Sequence, residues 1–418
     1  MEKLRRFLII IGPGMLTAAT GVGAGDLATG SFAGSLLGTA ILWAVIVGAL
    51  LKYTVTEGIA RWQLATGTTL LEGLTIHFGR GAAWLFLPYL LLFTYFIGTA
   101  MMSACGVTLH AMIPLFDDAA DGKIFFGILS SIVGLALVYR GGYQLFEKTM
   151  RICIGAMFVT VMITAALLWP GTDIVLRGIF IPTIPDFHGN GLIWTIALIG
   201  GVGGTITVLS YGYWIREEGR AGGGNIPVCR IDLAVGYSMT ALFGLAMVII
   251  GSTITIQGDG ATLLVNLSKQ LGTKLGPAGE WLFLIGAFGT VFSSLLGVWQ
   301  SIPYIFADTW LLASQSRSHT AARGASFRIG LDTSLYRRYM IAIAFVPMLG
   351  LFTSFQEMQK FYAVVGAYFF PFLAMALLLL NCRAKWVGEQ YKYGMPAIIG
   401  LIATIALFIW AATHNIST

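Results

Sequence analysis

Gly21-Val22-Gly23-Ala24-Gly25-Asp26 stands inside one apolar segment, and Gly201-Val202-Gly203-Gly204-Thr205-Ile206-Thr207 stands inside another, 180 residues further on. Glycine costs about 1 kcal/mol relative to alanine in a helix interior, so three within five residues favour a break. Two broken helices at matching places in the two halves of a membrane chain are the sequence mark of a transporter's substrate site. The first break also carries a carboxylate, Asp26.

Outward from these two motifs, the chain is built for lipid. Of its 418 residues 57% are hydrophobic and only 11% charged, with a mean hydropathy of +0.81. Soluble domains carry about 25% charged residues, so the chain reads as a polytopic integral membrane protein. Met1-Glu2-Lys3-Leu4-Arg5-Arg6 precedes the first span with no small-residue cleavage site after it, so no cleaved signal peptide is expected. Cys105, Cys153, Cys229 and Cys382 show no CxxC spacing, and the five histidines show no HxxxH spacing. Neither a zinc site nor a disulfide framework follows.

Runs of about 20 apolar residues mark bilayer spans. Eleven are predicted, at 7–36, 40–65, 82–111, 123–139, 146–169, 191–215, 230–256, 279–310, 336–355, 358–381 and 393–412. With the amino terminus in the cytoplasm, only Lys123, Arg177, Lys269, Lys274 and Lys360 fall outside, and Lys52 and Arg61 lie within span two. The other basic residues face inward, so the net charge of +6 is a topology signal and not a nucleic-acid footprint. An odd number of spans then puts the carboxyl terminus outside, and a bacterial inner membrane is the expected location.

The breaks fall in spans one and six. That divides the chain into a repeat of five spans (about 7–169), a second (about 191–381) and an extra helix (about 393–412). Repeats with an odd number of spans must face opposite ways, and their discontinuous first helices meet near the midplane. Backbone freed at membrane depth is tolerated only where it is buried or lines a cavity. Carbonyls at the negative ends of half-helices attract cations, and amides at the positive ends attract anions. Asp26 tips the choice toward a cation, with Thr20, Thr205 and Thr207 as hard oxygen donors beside it. Glycine runs also serve as close-packing faces. Two matched runs, one ending in aspartate, favour the site. No Lys-Ser/Thr follows either run, so a phosphate-cradling loop is excluded.

Other charges within the spans have two readings each. Glu57 could act in a gate or proton relay with Lys52 and Arg61, but its i,i+4 spacing to Arg61 also makes a simple internal pair. Asp232 and Asp308 fall near cytoplasmic span ends, where gating salt bridges with the basic loops would form. Tyr211, Tyr213 and Trp214, just before Ile215-Arg216-Glu217-Glu218, read as an interfacial aromatic belt. His110 reads as a surface histidine.

At Gly12-Pro13-Gly14, Gly25-Asp26-Leu27-Ala28-Thr29, Leu64-Ala65-Thr66-Gly67 and Leu71-Glu72 the chain resembles the Nramp family of divalent metal transporters. The resemblance implies an all-α membrane fold of LeuT-like design, with a five-plus-five inverted repeat and a metal site between helices one and six. The departures bear on the cargo. The family's Asp-Pro-Gly-Asn reads Gly23-Ala24-Gly25-Asp26 here, and its Ala-x-x-Met-Pro-His aligns with Gly204-Thr205-Ile206-Thr207-Val208-Leu209. The thioether and the histidine are gone, and residues 82–109 lack the acidic residues of the family's third helix.

Thioether sulfur suits softer transition metals, whereas carboxylate, carbonyl and water suit magnesium, calcium and manganese. Magnesium keeps part of its water shell and is often held by one or two carboxylates. Glycine at 23 and 204 is expected to enlarge the site for a hydrated ion. The expected metal-binding set is Asp26, Gly23, Thr20, Gly204 and Thr207, with Glu57, Asp232 and Asp308 as gate or relay residues. Transport of magnesium, then manganese, without proton coupling is the leading expectation. This resembles the Nramp-related magnesium transporter branch. A proton-coupled manganese or iron importer and an organic-solute symporter on the same fold are the alternatives. No enzymatic activity, resident cofactor or nucleic-acid partner is expected, and a monomer is the simplest assembly.

Overall fold

The computed structural model describes residues 13–253, 263–314 and 333–415. Gly12, the basic residues Lys3, Arg5, Arg6, Arg317, Arg323 and Arg328, and the start of span one lie outside the described residues.

The first break is a change of helical pitch. Helix α1 (Pro13–Gly21) runs into a π-helical stretch, Val22–Thr29, and on into α2 (Gly30–Leu37). Single π turns inside α-helices concentrate at functional sites. Gly38, at φ 67°, and a 3-10 turn over Gly38–Ile41 then redirect the chain into α3 (Leu42–Thr66). The motif at residues 64–72 is a helix stop followed by a helix start. Gly67 closes α3 in the left-handed region at φ 75°, its N–H bonding to the Gln63 carbonyl at 2.8 Å. Thr69 opens α4 (Leu70–Phe78) with a capping box. Its hydroxyl accepts from the Glu72 N–H at 3.1 Å and its own N–H donates to Glu72 Oε2 at 2.6 Å.

Helix α5 (Gly81–Met112) is span three. Spans four and five, predicted as 123–139 and 146–169 with a connection between, are helical without interruption as α6 (Ala119–Leu167, 49 residues). At 1.5 Å per residue α6 is about 74 Å long, more than twice the ~30 Å of a hydrocarbon core. Gly141-Gly142 weakens a helix there, but no proline stands beside it to end one. Helix α7 (Thr172–Phe180) is bent by 114° from the end of α6.

The second break is a true unwinding. Helix α8 (Leu192–Gly201) stops, Gly203 and Gly204 take φ of 72° and 91°, and a 3-10 turn (Ile206–Leu209) leads into α9 (Ser210–Glu217). Positive φ strains any side chain but is free for glycine, so this turn depends on Gly203 and Gly204. Helices α10 (Ile226–Gly251), α11 (Leu263–Ser314, kinked at Gly276 before Pro277), α12 (Ser334–Phe345), α13 (Phe355–Ala367), α14 (Phe369–Asn381), the short α15 (Ala384–Val387) and α16 (Met395–Asn415) complete the chain.

Among the described residues nine helical segments are long and apolar enough to cross a membrane, or ten with the bent pair at α6 and α7. The longest, Asp26–Thr66, is 41 residues and contains the positive-φ Gly38. Helix α10 lies along α1, α2 and α3, while α11 runs beside α5 and α6. Span one meets α10 through small residues: Gly34 lies against the Val248 carbonyl and Gly251 against Ser31. Backbones approach in this way when no side chain intervenes. Large apolar side chains such as Leu85, Phe372 and Ile399 face outward, as a lipid-facing surface requires. Helix α16 packs against α14 and α3 at the edge of the bundle.

Candidate substrate site at the two broken helices

The two glycine motifs touch. A Cβ on Gly21 would fall on the Gly203 carbonyl carbon and the Gly204 nitrogen, so main chain meets main chain there. Asp26, fully buried, bridges the same junction by accepting from the Gly203 N–H at 3.3 Å through Oδ2. Its Oδ1 has no hydrogen-bond partner among the described residues and faces the side of α10 at Gly244, beside Val45 and Val202. A buried carboxylate oxygen left unsatisfied is costly, which is why such atoms mark working sites more often than scaffolding.

Lys52 comes to the same place from α3. Its ammonium donates to the Gly200 carbonyl at 2.6 Å and to the Val202 carbonyl, next to the Gly203 N–H that donates to Asp26. The grouping of Lys52 with Glu57 and Arg61 is therefore corrected. One turn and a little more along the helix turns Lys52 toward α8 and away from Glu57.

The other predicted ligands divide between the junction and its surroundings. Thr207 is buried, and its hydroxyl oxygen lies 2.6 Å from where a Cβ on Gly204 would sit. Thr20 is buried, but its hydroxyl donates to the Leu16 carbonyl at 2.7 Å within its own helix. Gly23 does not open a cavity. Ser294 of α11 occupies the space a side chain would take, and its hydroxyl accepts from the Gly23 N–H at 2.7 Å. The expected enlargement at Gly23 is thus overturned: the Ser294 hydroxyl of the neighbouring helix fills the room and accepts from the Gly23 N–H. Among the described residues no three His, Cys, Asp or Glu side chains come together to hold a metal ion. A cation at the breaks would rely on one carboxylate, backbone carbonyls, hydroxyls and water.

Asp232, Asp308 and Glu57 do not reach the breaks. Asp232 and Asp308 bond to α9, the second half of the broken span six, while Glu57 pairs within α3 and with α10. Asp232 Oδ2 accepts from the Gly14 N–H (2.9 Å) and the Tyr211 hydroxyl (3.0 Å), and pairs with Arg220 (3.1 Å). It thereby ties the start of α1 to α9, α10 and the following loop. Asp308 Oδ2 accepts from the Tyr213 hydroxyl at 2.7 Å and the Thr69 hydroxyl at 3.1 Å, and Arg216 pairs with Glu72 at 3.5 Å. Trp214 Nε1 donates to Gln300 Oε1 at 2.9 Å. Tyr211, Tyr213 and Trp214 are all buried, so the interfacial belt is overturned. Their rings fill the core while their polar ends satisfy buried acceptors, as buried Tyr and Trp require. Glu57 pairs with Arg61 at 2.5 Å and with Arg230 at 2.9 Å, combining the i,i+4 pair with a link to α10. His110 is buried against Gly122 and is not a surface residue.

Both the sequence and the topology have counterparts among known proteins. The model of the Nramp family, described as natural resistance-associated macrophage protein-like, matches residues 14–417. The chain belongs to the Nramp family. It is a membrane transporter and not an enzyme. Among similar proteins, the divalent metal cation transporter MntH of Yersinia pestis (strain Pestoides F) is 22% identical over 376 residues, covering 84% of this chain and 88% of that one. A crystal structure of the Eremococcus coleocola manganese transporter superposes with a TM-score of 0.70 at 17% identity, covering 98% of this chain and 86% of that one. MhsT in complex with L-phenylalanine superposes with a TM-score of 0.64 at 14% identity, covering 96% and 97%. At these identities the structures establish the fold, which is LeuT-like. Within this Nramp chain, sequence reasoning missed Ser294 and the role of Lys52. Lys52 had a signal, a cation within an apolar span; Ser294 had none.

Proposed function

We propose that the chain carries a divalent metal cation across a bacterial inner membrane by alternating access, magnesium first and manganese second, without proton coupling. The observation that carries this reading is Asp26, buried where the two breaks meet, with Oδ1 unsatisfied among the described residues. A single carboxylate amid carbonyls and hydroxyls, with no sulfur donor in either break, suits a hard ion that keeps part of its water shell. Asp26 acts as the anionic ligand, directly or through water. Thr207 and the backbone at Thr20, Gly23 and Gly204 supply neutral oxygens once Ser294 and the Thr20 hydroxyl rearrange. An inside-negative potential drives a dication inward by about 4.6 kcal/mol per 100 mV, twice the single-charge figure. The clusters at Asp232, Asp308 and Glu57 serve as the gate. Manganese as the first cargo is the second reading, favoured by the likeness to a solved manganese transporter.

The test is flux into proteoliposomes with magnesium-, manganese- and pH-sensitive dyes, wild type against Asp26→Ala. Magnesium entry that the mutation abolishes is expected. Entry unchanged by Asp26→Ala removes Asp26 from the site, and magnesium-dependent acidification overturns the uncoupled mechanism. Manganese entry at concentrations where magnesium does not enter favours the second reading. No divalent flux, with binding of an organic solute instead, overturns both.

A further inference from the structure

The cation reading gives Lys52 no task, yet its ammonium occupies the very atoms a cation would seek. Gly200 and Val202 sit at the end of α8, where the last carbonyls of a half-helix lack intrahelical partners and carry the negative end of its dipole. Lys52 donates to both carbonyls, at 2.6 Å to Gly200. Val202 adjoins Gly203, whose N–H donates to Asp26, the Phe370 ring centroid lies 5.0 Å from Nζ, and Lys52 is 1% exposed. Two carbonyls and an aromatic face lie against the group, and the Asp26 carboxylate bonds to the next peptide along. Each is a feature of a bound-cation site, and here the cation is attached to the chain.

We propose that Lys52 is a tethered resident cation that fills the carbonyl seat at the end of α8, so that a transported ion enters only by displacing it. Lys52 is then a residue that determines specificity. The inference rests on the divalent-cation reading above. A tethered group competes at an effective concentration in the millimolar range or higher, so any ion in free solution starts at a disadvantage. A monovalent ion that displaces the ammonium exchanges one charge for one and gains nothing toward Asp26. A divalent ion brings a second charge to the same carboxylate and carbonyls. Displacement therefore selects dications over sodium and potassium without any cage of the right size. A purely structural lysine, pinning α8 to α3, would have the opposite mutational signature. Removing it would loosen the break and weaken binding.

The experiment measures concentration-dependent magnesium and sodium uptake by the full chain in proteoliposomes, for wild type, Lys52→Met and Lys52→Arg. Lys52→Met keeps the length and loses the charge. It is expected to lower KM for magnesium by at least about tenfold and to admit sodium. Lys52→Arg keeps the charge and is expected to retain the wild-type KM and exclude sodium. A folded Lys52→Met protein with an unchanged or raised magnesium KM overturns the proposal. If Lys52→Met fails to fold by size-exclusion profile, Lys52→Gln decides by the same criteria, since it keeps donors for the carbonyls but not the charge. Wild-type magnesium uptake with no gain in either neutral variant refutes the role of Lys52 alone. No divalent uptake by wild type or variants refutes the divalent reading, and the role of Lys52 with it.

Discussion

Replacing Gly21 by alanine puts one methyl group where the two broken helices touch. That carbon would overlap the Gly203 carbonyl carbon and the Gly204 nitrogen, main-chain atoms that cannot rotate aside. Non-bonded carbons rest at about 3.5–4.0 Å, so α1 and the unwound segment would have to part by roughly 1 Å or more. Overpacking of this kind costs about 1–3 kcal/mol. Parting the backbones also stretches the Gly203 N–H to Asp26 bond, already 3.3 Å. A bond to a charged group is worth about 1.5–3 kcal/mol. Alanine's better helix propensity offsets about 1 kcal/mol. The net loss is about 1.5–5 kcal/mol, or roughly 10- to 4,000-fold in the population of the assembled site at 1.4 kcal/mol per factor of ten. Magnesium uptake against concentration should show this as a raised KM, together with a lower temperature of inactivation in detergent. Gly81→Ala is the control. It starts α5 with open space around it, so it should be neutral or stabilising by less than about 1 kcal/mol. Wild-type KM and thermal stability in Gly21→Ala would refute the contact between the breaks.

Two further outcomes follow from the packing around the site. Asp232→Ala removes the acceptor shared by Gly14, Tyr211 and Arg220 and leaves the Arg220 side chain, 9% exposed, without its carboxylate. Breaking a buried pair this way costs about 3–5 kcal/mol. Cys229, buried with Sγ 4.0 Å from Arg220 Nη1, should then be alkylated at least about tenfold faster, against a Cys229→Ser background. An unchanged labelling rate would show that the Asp232 cluster does not hold this side closed. Ser294→Ala takes the acceptor from the Gly23 N–H, and an unsatisfied buried donor costs about 1–3 kcal/mol. Thermal stability should fall accordingly, and a stability equal to wild type would mean that the π-helical break does not depend on Ser294.

Much of this was legible in residue type and spacing. Clustered glycines located both breaks, and the Leu64–Gly67 and Leu71-Glu72 motif turned out to be a stop and a capping box, signals that act over a few residues. The pair Glu57–Arg61 was likewise given by i,i+4 geometry. The errors have a common cause. Tyr211, Tyr213 and Trp214 have the composition of an interfacial belt, and only the packing of α10 and α11, which brings Asp232, Asp308 and Gln300 to their polar ends, makes them core residues. The unbroken α6 is a second case, because local glycine content lowers helix stability without deciding whether the chain turns.

By itself, the sequence determined a lipid-embedded helical bundle, the positions of its breaks, and the carboxylate that stands at one of them. Hydropathy and glycine cost are local, additive properties, so they can be read along the chain. Only the tertiary structure decided that the two breaks meet at Gly21 and Gly203, that Ser294 fills the room Gly23 leaves, and that Lys52 sits on the carbonyls of α8. Those are encounters between residues 148 to 271 positions apart. Their outcome depends on how whole helices pack, which no window of sequence contains.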